Sequence, residues 1–93
     1  MERIDAYKQF LEGWGYDAQA LMTIEEMSEL TKALCKYNRY KNTNDPKLKA
    51  DVIEEIADVL NMAEQMAFFF GKEEVEKIRD QKIERSLKRL KNE

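Results

Sequence analysis

Histidine is absent from this chain, and cysteine and proline occur once each. Without imidazole, the chain has no histidine general acid or base and no histidine metal ligand. A lone Cys35 leaves no partner for an intrachain disulfide, which removes one kind of staple and fits a reducing cytoplasm. Long apolar runs are also missing. The longest, Met66 to Phe70, is far too short to span a bilayer. The opening Met1-Glu2-Arg3-Ile4-Asp5 is polar and lacks the apolar stretch of a signal peptide. Neither sign of charge dominates: 16 basic and 19 acidic residues leave a net charge of −3, which is not the footprint of a DNA or RNA binder. The expectation is a soluble, cytoplasmic protein with neither a membrane nor a nucleic-acid polymer as partner.

What is present is helical period. Glycine occurs at only three positions, and with Pro46 these residues punctuate the chain. The spacing predicts four helices and an all-α, four-helix bundle-like fold, with residues 1–93 as a single domain. The first helix is expected over Arg3–Glu12 and the second over Ala18–Tyr40, with Asp17 as N-cap. The third starts near Pro46 and Lys47, with Asp45 as N-cap, and stops at Phe70 before Gly71. The fourth covers Glu73–Lys91, with Val75, Ile78, Ile83, Leu87 and Leu90 spaced for burial. Lys41 to Asp45 is the one clear polar loop. A chain this short has a marginal core and needs regular helix packing, a metal or a partner subunit. The third helix carries a broad apolar arc (Val52, Ile53, Ile56, Val59, Leu60, Met66 and Phe70 among others). That breadth fits a central bundle helix, a subunit interface, or both.

One acidic pattern is written twice. Glu25-Glu26-Met27-Ser28-Glu29 and Glu54-Glu55-Ile56-Ala57-Asp58 both place acids at i, i+1 and i+4. On a helix those positions share an arc of roughly 100°, where like charges repel. Glu55 falls among Val59, Met62 and Met66, where an unpartnered carboxylate is strongly unfavourable. Glu26 lies nearest the apolar edge of Leu30 and Ala33. The acids expected to face inward together are therefore Glu26, Glu29, Glu55 and Asp58. Carboxylates converging from two helices suit a hard, oxygen-seeking ion such as Mg²⁺. The plainer readings are a solvated acidic face, or an ion-pair network in which Lys32, Lys36 or the basic residues of the last helix neutralise the acids.

An EExxE block followed some tens of residues later by ExxD resembles the all-α nucleoside triphosphate pyrophosphohydrolases of the MazG-like group. The blocks here are Glu25-Glu26-Met27-Ser28-Glu29-Leu30 and Glu55-Ile56-Ala57-Asp58-Val59-Leu60. Trp14-Gly15, Gln19, Leu30-Thr31-Lys32-Ala33-Leu34 and Lys82-Ile83-Glu84-Arg85 extend the resemblance over most of the chain. The resemblance implies a MazG-type domain that hydrolyses an NTP or dNTP to the monophosphate and pyrophosphate, a house-cleaning activity on the nucleotide pool. It implies Mg²⁺, with Mn²⁺ able to substitute, held by Glu26, Glu29, Glu55 and Asp58. Glu25 would stand behind them or orient water as a base. It also implies a homodimer or homotetramer.

Phosphate binding would fall to Lys82 and Arg85, with Lys32 as a third candidate. Ser86 stands where some members carry a second arginine, so Arg89 competes with Arg85 for that role. Trp14, Gln19 and Asn61 are candidates for the base or sugar, and Tyr37, Phe69 and Met62 are weaker ones whose default role is packing. A reading of a different class is a catalytically silent helical oligomer acting as a protein-interaction adaptor. A di-iron carboxylate bundle fails for want of histidine, and no EF-hand loop is present.

Overall fold

Two glycines and a capped proline divide the chain into its helices. The computed structural model describes all 93 residues: α1 Arg3–Trp14, α2 Tyr16–Tyr40, α3 Pro46–Phe70 and α4 Lys72–Lys91, with a short 3₁₀ turn at Lys41–Thr43 and no strand. The fold is all-α, and no helix is long and apolar enough to cross a membrane.

Local chemistry explains most boundaries. Asp45 caps α3: its Oδ1 accepts from the Lys47 N–H at 3.0 Å, and Pro46 occupies the first turn, where a missing N–H has no cost. Gly71, at φ 139°, donates its N–H to Ala67 O at 2.8 Å and turns the chain out of α3. The first two boundaries differ from the sequence expectation. α1 runs on through Gly13 to Trp14, because the stop is Gly15, at φ 87°. α2 therefore starts at Tyr16, and Asp17 lies in its first turn rather than at the N-cap. There its charge still favours the positive end of the helix. The expected polar loop holds the 3₁₀ turn, closed by Asn44 in the left-handed region at φ 59°.

α2 and α3 form an antiparallel hairpin, the principal packing unit of the chain. Buried and half-buried positions recur every three or four residues along the seam: Gln19, Thr23, Glu26, Leu30 and Ala33 on α2, and Leu48, Val52, Glu55, Val59, Met62 and Gln65 on α3. α1 lies against both helices. Its Tyr7 is buried, and the Tyr7 hydroxyl donates to Glu64 Oε1 on α3 at 3.2 Å. Tyr16 stacks on Phe69, with ring centroids 4.5 Å apart, and meets Phe70 edge-on, which ties the start of α2 to the end of α3.

The hairpin does not close into a four-helix bundle within one chain. Only Tyr7, Gln19, Leu48 and Gln65 are buried. The radius of gyration is 16.4 Å, against about 12 Å for a compact chain of this length. α4 causes much of the difference. It packs chiefly on α3, and every residue from Glu76 onward is exposed. The spacing of Ile78, Ile83, Leu87 and Leu90 is that of a buried stripe, but nothing within the chain covers it. Ile53, Ile56 and Leu60 on α3, and Leu21, Ile24 and Met27 on α2, are likewise exposed.

Two substitutions test the boundary chemistry. Gly71→Ala forces an L side chain into a backbone region it rarely adopts and should destabilise by about 1–3 kcal/mol. Asp45→Ala removes the α3 cap and should cost about 1 kcal/mol. Urea midpoints of both variants against the parent check these values, and an unchanged midpoint for either removes that boundary argument.

Candidate functional site

The register of the hairpin decides which acids meet. Glu26 on α2 lies opposite Glu55 and Asp58 on α3, and one carboxylate oxygen from each of the three comes within 4.8 Å of the others. All three side chains are half-buried. Glu55 Oε2 is closed off from solvent and has no hydrogen-bond partner. Such a group is destabilising unless a proton or a cation satisfies it.

The electrostatics follow from this packing. Glu26 is held above the usual carboxylate value by burial first, then by Asp58, Glu55 and Glu29, and by a hydrogen bond with Asp58. Glu55 is raised by burial first, then by Asp58, Glu29, Glu54 and Asp51. The charges acting on both are thus carboxylates. The three ion pairs of the chain, Arg3–Glu64, Lys47–Asp51 and Arg79–Glu76, lie outside the trio. No ion pair joins Lys32, Lys36 or the α4 basics to either acidic block.

The remaining sequence candidates divide by position. Glu29 is exposed and outside the 4.8 Å group, at its rim, where its charge still acts on Glu26 and Glu55. Glu25 and Lys32 are exposed on α2. Lys82 and Arg85 lie on the projecting half of α4, away from the hairpin seam on which the trio sits. Trp14, Gln19 and Asn61, in contrast, come together. With Met62 they line a cavity of about 410 Å³ between α1 and the hairpin. Trp14 is two-thirds exposed and stacks on Phe10, with centroids 5.3 Å apart. Tyr37 does not share this cleft, because it lies eighteen residues, about 27 Å, along α2 from Gln19. Phe69 is occupied by Tyr16 and Phe70.

Two residues escaped the sequence reading. Asp51, one turn before Glu55, is half-buried and adds to the charge on it. Gln65, the most deeply buried side chain of the chain, borders the cavity. Both occupy the seam face of α3, so the helical wheel that selected Glu55 also marked them. Their residue types, a helix-surface acid and a neutral amide, drew no notice.

The oxygen-only donors, the orphaned Glu55 Oε2 and the lack of a neighbouring cation together fit a hard divalent ion held by Glu26, Glu55 and Asp58. Compared with protein-family models, curated proteins and solved structures, the chain finds no match.

The raised carboxyls give the metal-free chain a pH signature. The folded state holds these protons more tightly than the unfolded state, so their stabilising contribution is full below about pH 4.5. It is lost as pH rises through the higher folded-state values. Metal-free thermal melts should show Tm rising from pH 7 toward pH 5. Glu55→Gln should raise Tm at pH 7 and flatten the dependence, whereas a parent Tm that is flat or falls on acidification contradicts the site electrostatics.

Proposed function

We propose that this chain is a Mg²⁺-dependent nucleoside triphosphate pyrophosphohydrolase of MazG-like type, with Mn²⁺ able to substitute. It would convert an NTP or dNTP to the monophosphate and pyrophosphate in a reducing cytoplasm, as a nucleotide-pool house-cleaning enzyme. The observation that carries this reading is the trio Glu26, Glu55 and Asp58 on the hairpin seam, with Glu55 Oε2 unsatisfied. Bound there, the cation would neutralise charge on the phosphates as the transition state develops.

The chain's own residues supply the rest. Hydrolysis adds a water oxygen to phosphorus and breaks the bridge between the α- and β-phosphates, so one water proton must be accepted. With no histidine, carboxylate is the natural base, and a carboxylate not engaged by the cation would take this proton. Glu29, at the rim, would hold the cation from the solvent side, and exposed Glu25 would orient water. Lys32, Lys82 and Arg85 would meet the triphosphate, the last two from α4 of a neighbouring copy.

The homo-oligomer belongs to the same proposal. Uncovered apolar stripes on α2, α3 and α4 and the expanded radius support a homodimer or homotetramer. The same stripes favour the second reading, a catalytically silent helical adaptor. Its requirement that lysines neutralise the acids finds no ion pair in support.

Pyrophosphate release from a panel of NTPs and dNTPs, with Mg²⁺ and with EDTA, tests the reaction. Release should require the metal and fall by about 100-fold or more in Glu55→Gln. Absence of release from every nucleotide, with no Mg²⁺-dependent thermal shift, leaves the adaptor. Sedimentation equilibrium should return at least twice the 11.0 kDa chain mass. A single-chain mass at micromolar concentration would refute the assembly.

A further inference from the structure

α1 is held to the hairpin by little. It has 12 residues, a length at which an isolated helix is marginal in water, so its order depends on docking. Tyr7 is its one buried residue, whereas Ile4, Phe10 and Trp14 are exposed. Both side-chain polar links from α1 to the hairpin end on one carboxylate. The Tyr7 hydroxyl donates to Glu64 Oε1 at 3.2 Å, and Arg3 Nη1 stands 3.9 Å from Glu64 Oε2. The Arg3 pair is exposed and contributes little, so the Tyr7–Glu64 bond is the latch. At the other end the joint is loose. Gly15 leaves α1 at φ 87°, and a Cβ placed at Gly13 or Gly15 would meet no atom within 4 Å. No neighbour is wedged against this joint, so packing does not lock its torsions.

Between α1 and the hairpin lies the cavity of about 410 Å³. Ala6, Tyr7, Phe10 and Trp14 supply the α1 wall, and Gln65 borders the hairpin side. Gln65 is 1% exposed, and its Oε1 has no hydrogen-bond partner. A dry, unpaired amide oxygen is unfavourable, and water reaching it relieves the penalty.

We infer that α1 is a hinged lid that swings about Gly15, is latched by Tyr7 on Glu64, and is biased toward opening by hydration of Gln65 Oε1. Glu64 and Gln65 are sequence neighbours set about 100° apart on α3, so latch and bias are separate contacts. The lid stands beside the acids. Met22, four residues before Glu26, and Asn61, three after Asp58, both border the cavity. Its hairpin side therefore runs within one helical turn, about 5 Å along the axis, of the trio. That the opening admits a ligand to these acids rests on the pyrophosphohydrolase reading; that α1 opens does not. Short segments with few buried apolar contacts have the low local stability from which active-site lids are drawn.

Native-state hydrogen exchange of the full chain, without metal or nucleotide and read amide by amide by NMR, tests the lid. Amides of α1 should share one opening and exchange about tenfold or more faster than those of the α2–α3 seam. Tyr7→Phe removes the latch hydroxyl and should speed α1 exchange about fivefold, with seam rates unchanged. Gln65→Met removes the unpaired oxygen and should slow α1 exchange about fivefold. Circular dichroism verifies folding, and Gln65→Leu replaces Gln65→Met if needed. A residue that served packing alone would, on replacement, speed exchange in the seam as well. Protection of α1 equal to that of the seam overturns the inference, as does a Gln65 variant in which α1 exchange fails to slow. With neither metal nor nucleotide present, a failed lid leaves the hydrolysis result standing, and failed hydrolysis leaves the lid.

Discussion

Repulsion among carboxylates in the middle of a helix–helix seam is the constraint around which this chain is built. Glu26, Glu55 and Asp58 would push α2 and α3 apart at the point where their oxygens converge within 4.8 Å. What holds the hairpin shut lies on either side. Toward the loop, Leu30 and Ala33 run beside Leu48 and Val52. Toward the other end, Tyr7 ties α1 to Glu64, while Tyr16 grips Phe69. The acids are thus clamped in a partly dry place by packing they do not contribute to. An arrangement that sacrifices stability locally and recovers it from flanking contacts is characteristic of sites made for a ligand.

Much of this was legible in the sequence, for definite reasons. Asp45-Pro46 and Gly71 act through backbone chemistry that depends on nearest neighbours, so the bounds of α3 could be read directly. Glu55 was identifiable because a charged residue on an apolar arc has few explanations. The start of α2 was misplaced because Gly13 and Gly15 look alike in a sequence. Only the backbone shows which of them takes the positive φ that ends a helix. Periodicity also overstated the burial of Ile83, Leu87 and Leu90. An apolar stripe says that a face wants covering and is silent about whether the cover comes from the same chain. Gln65 was missed because an amide is chemically mild until its surroundings remove every partner, and surroundings are a tertiary property.

The distribution of burial separates two halves of the molecule with different physics. The hairpin with α1 has a small interior, a cavity and a cluster of acids, all built from contacts within the chain. α4, most of α2's outer face and the Ile53–Leu60 stripe have a sequence pattern for packing without a neighbour to pack on. The first half sets the chemistry at the seam, and the second presents contiguous apolar area of the kind that drives association. The acidic site shares α2 and α3 with two of the uncovered faces.

Gly71 has a mechanical consequence. Its Cβ-less backbone, at φ 139°, is the joint between α3 and α4, and the nearest atom a side chain there would meet is Glu74 Cβ at 3.8 Å. Two torsions at one residue therefore aim a helix of 20 residues, about 30 Å long. A turn of 10° at the joint sweeps the far end through roughly 5 Å, the pitch of one helical turn. The positive charges of Lys82, Arg85 and Arg89 ride on this lever, so where they stand in space is governed by a residue that carries no side chain at all.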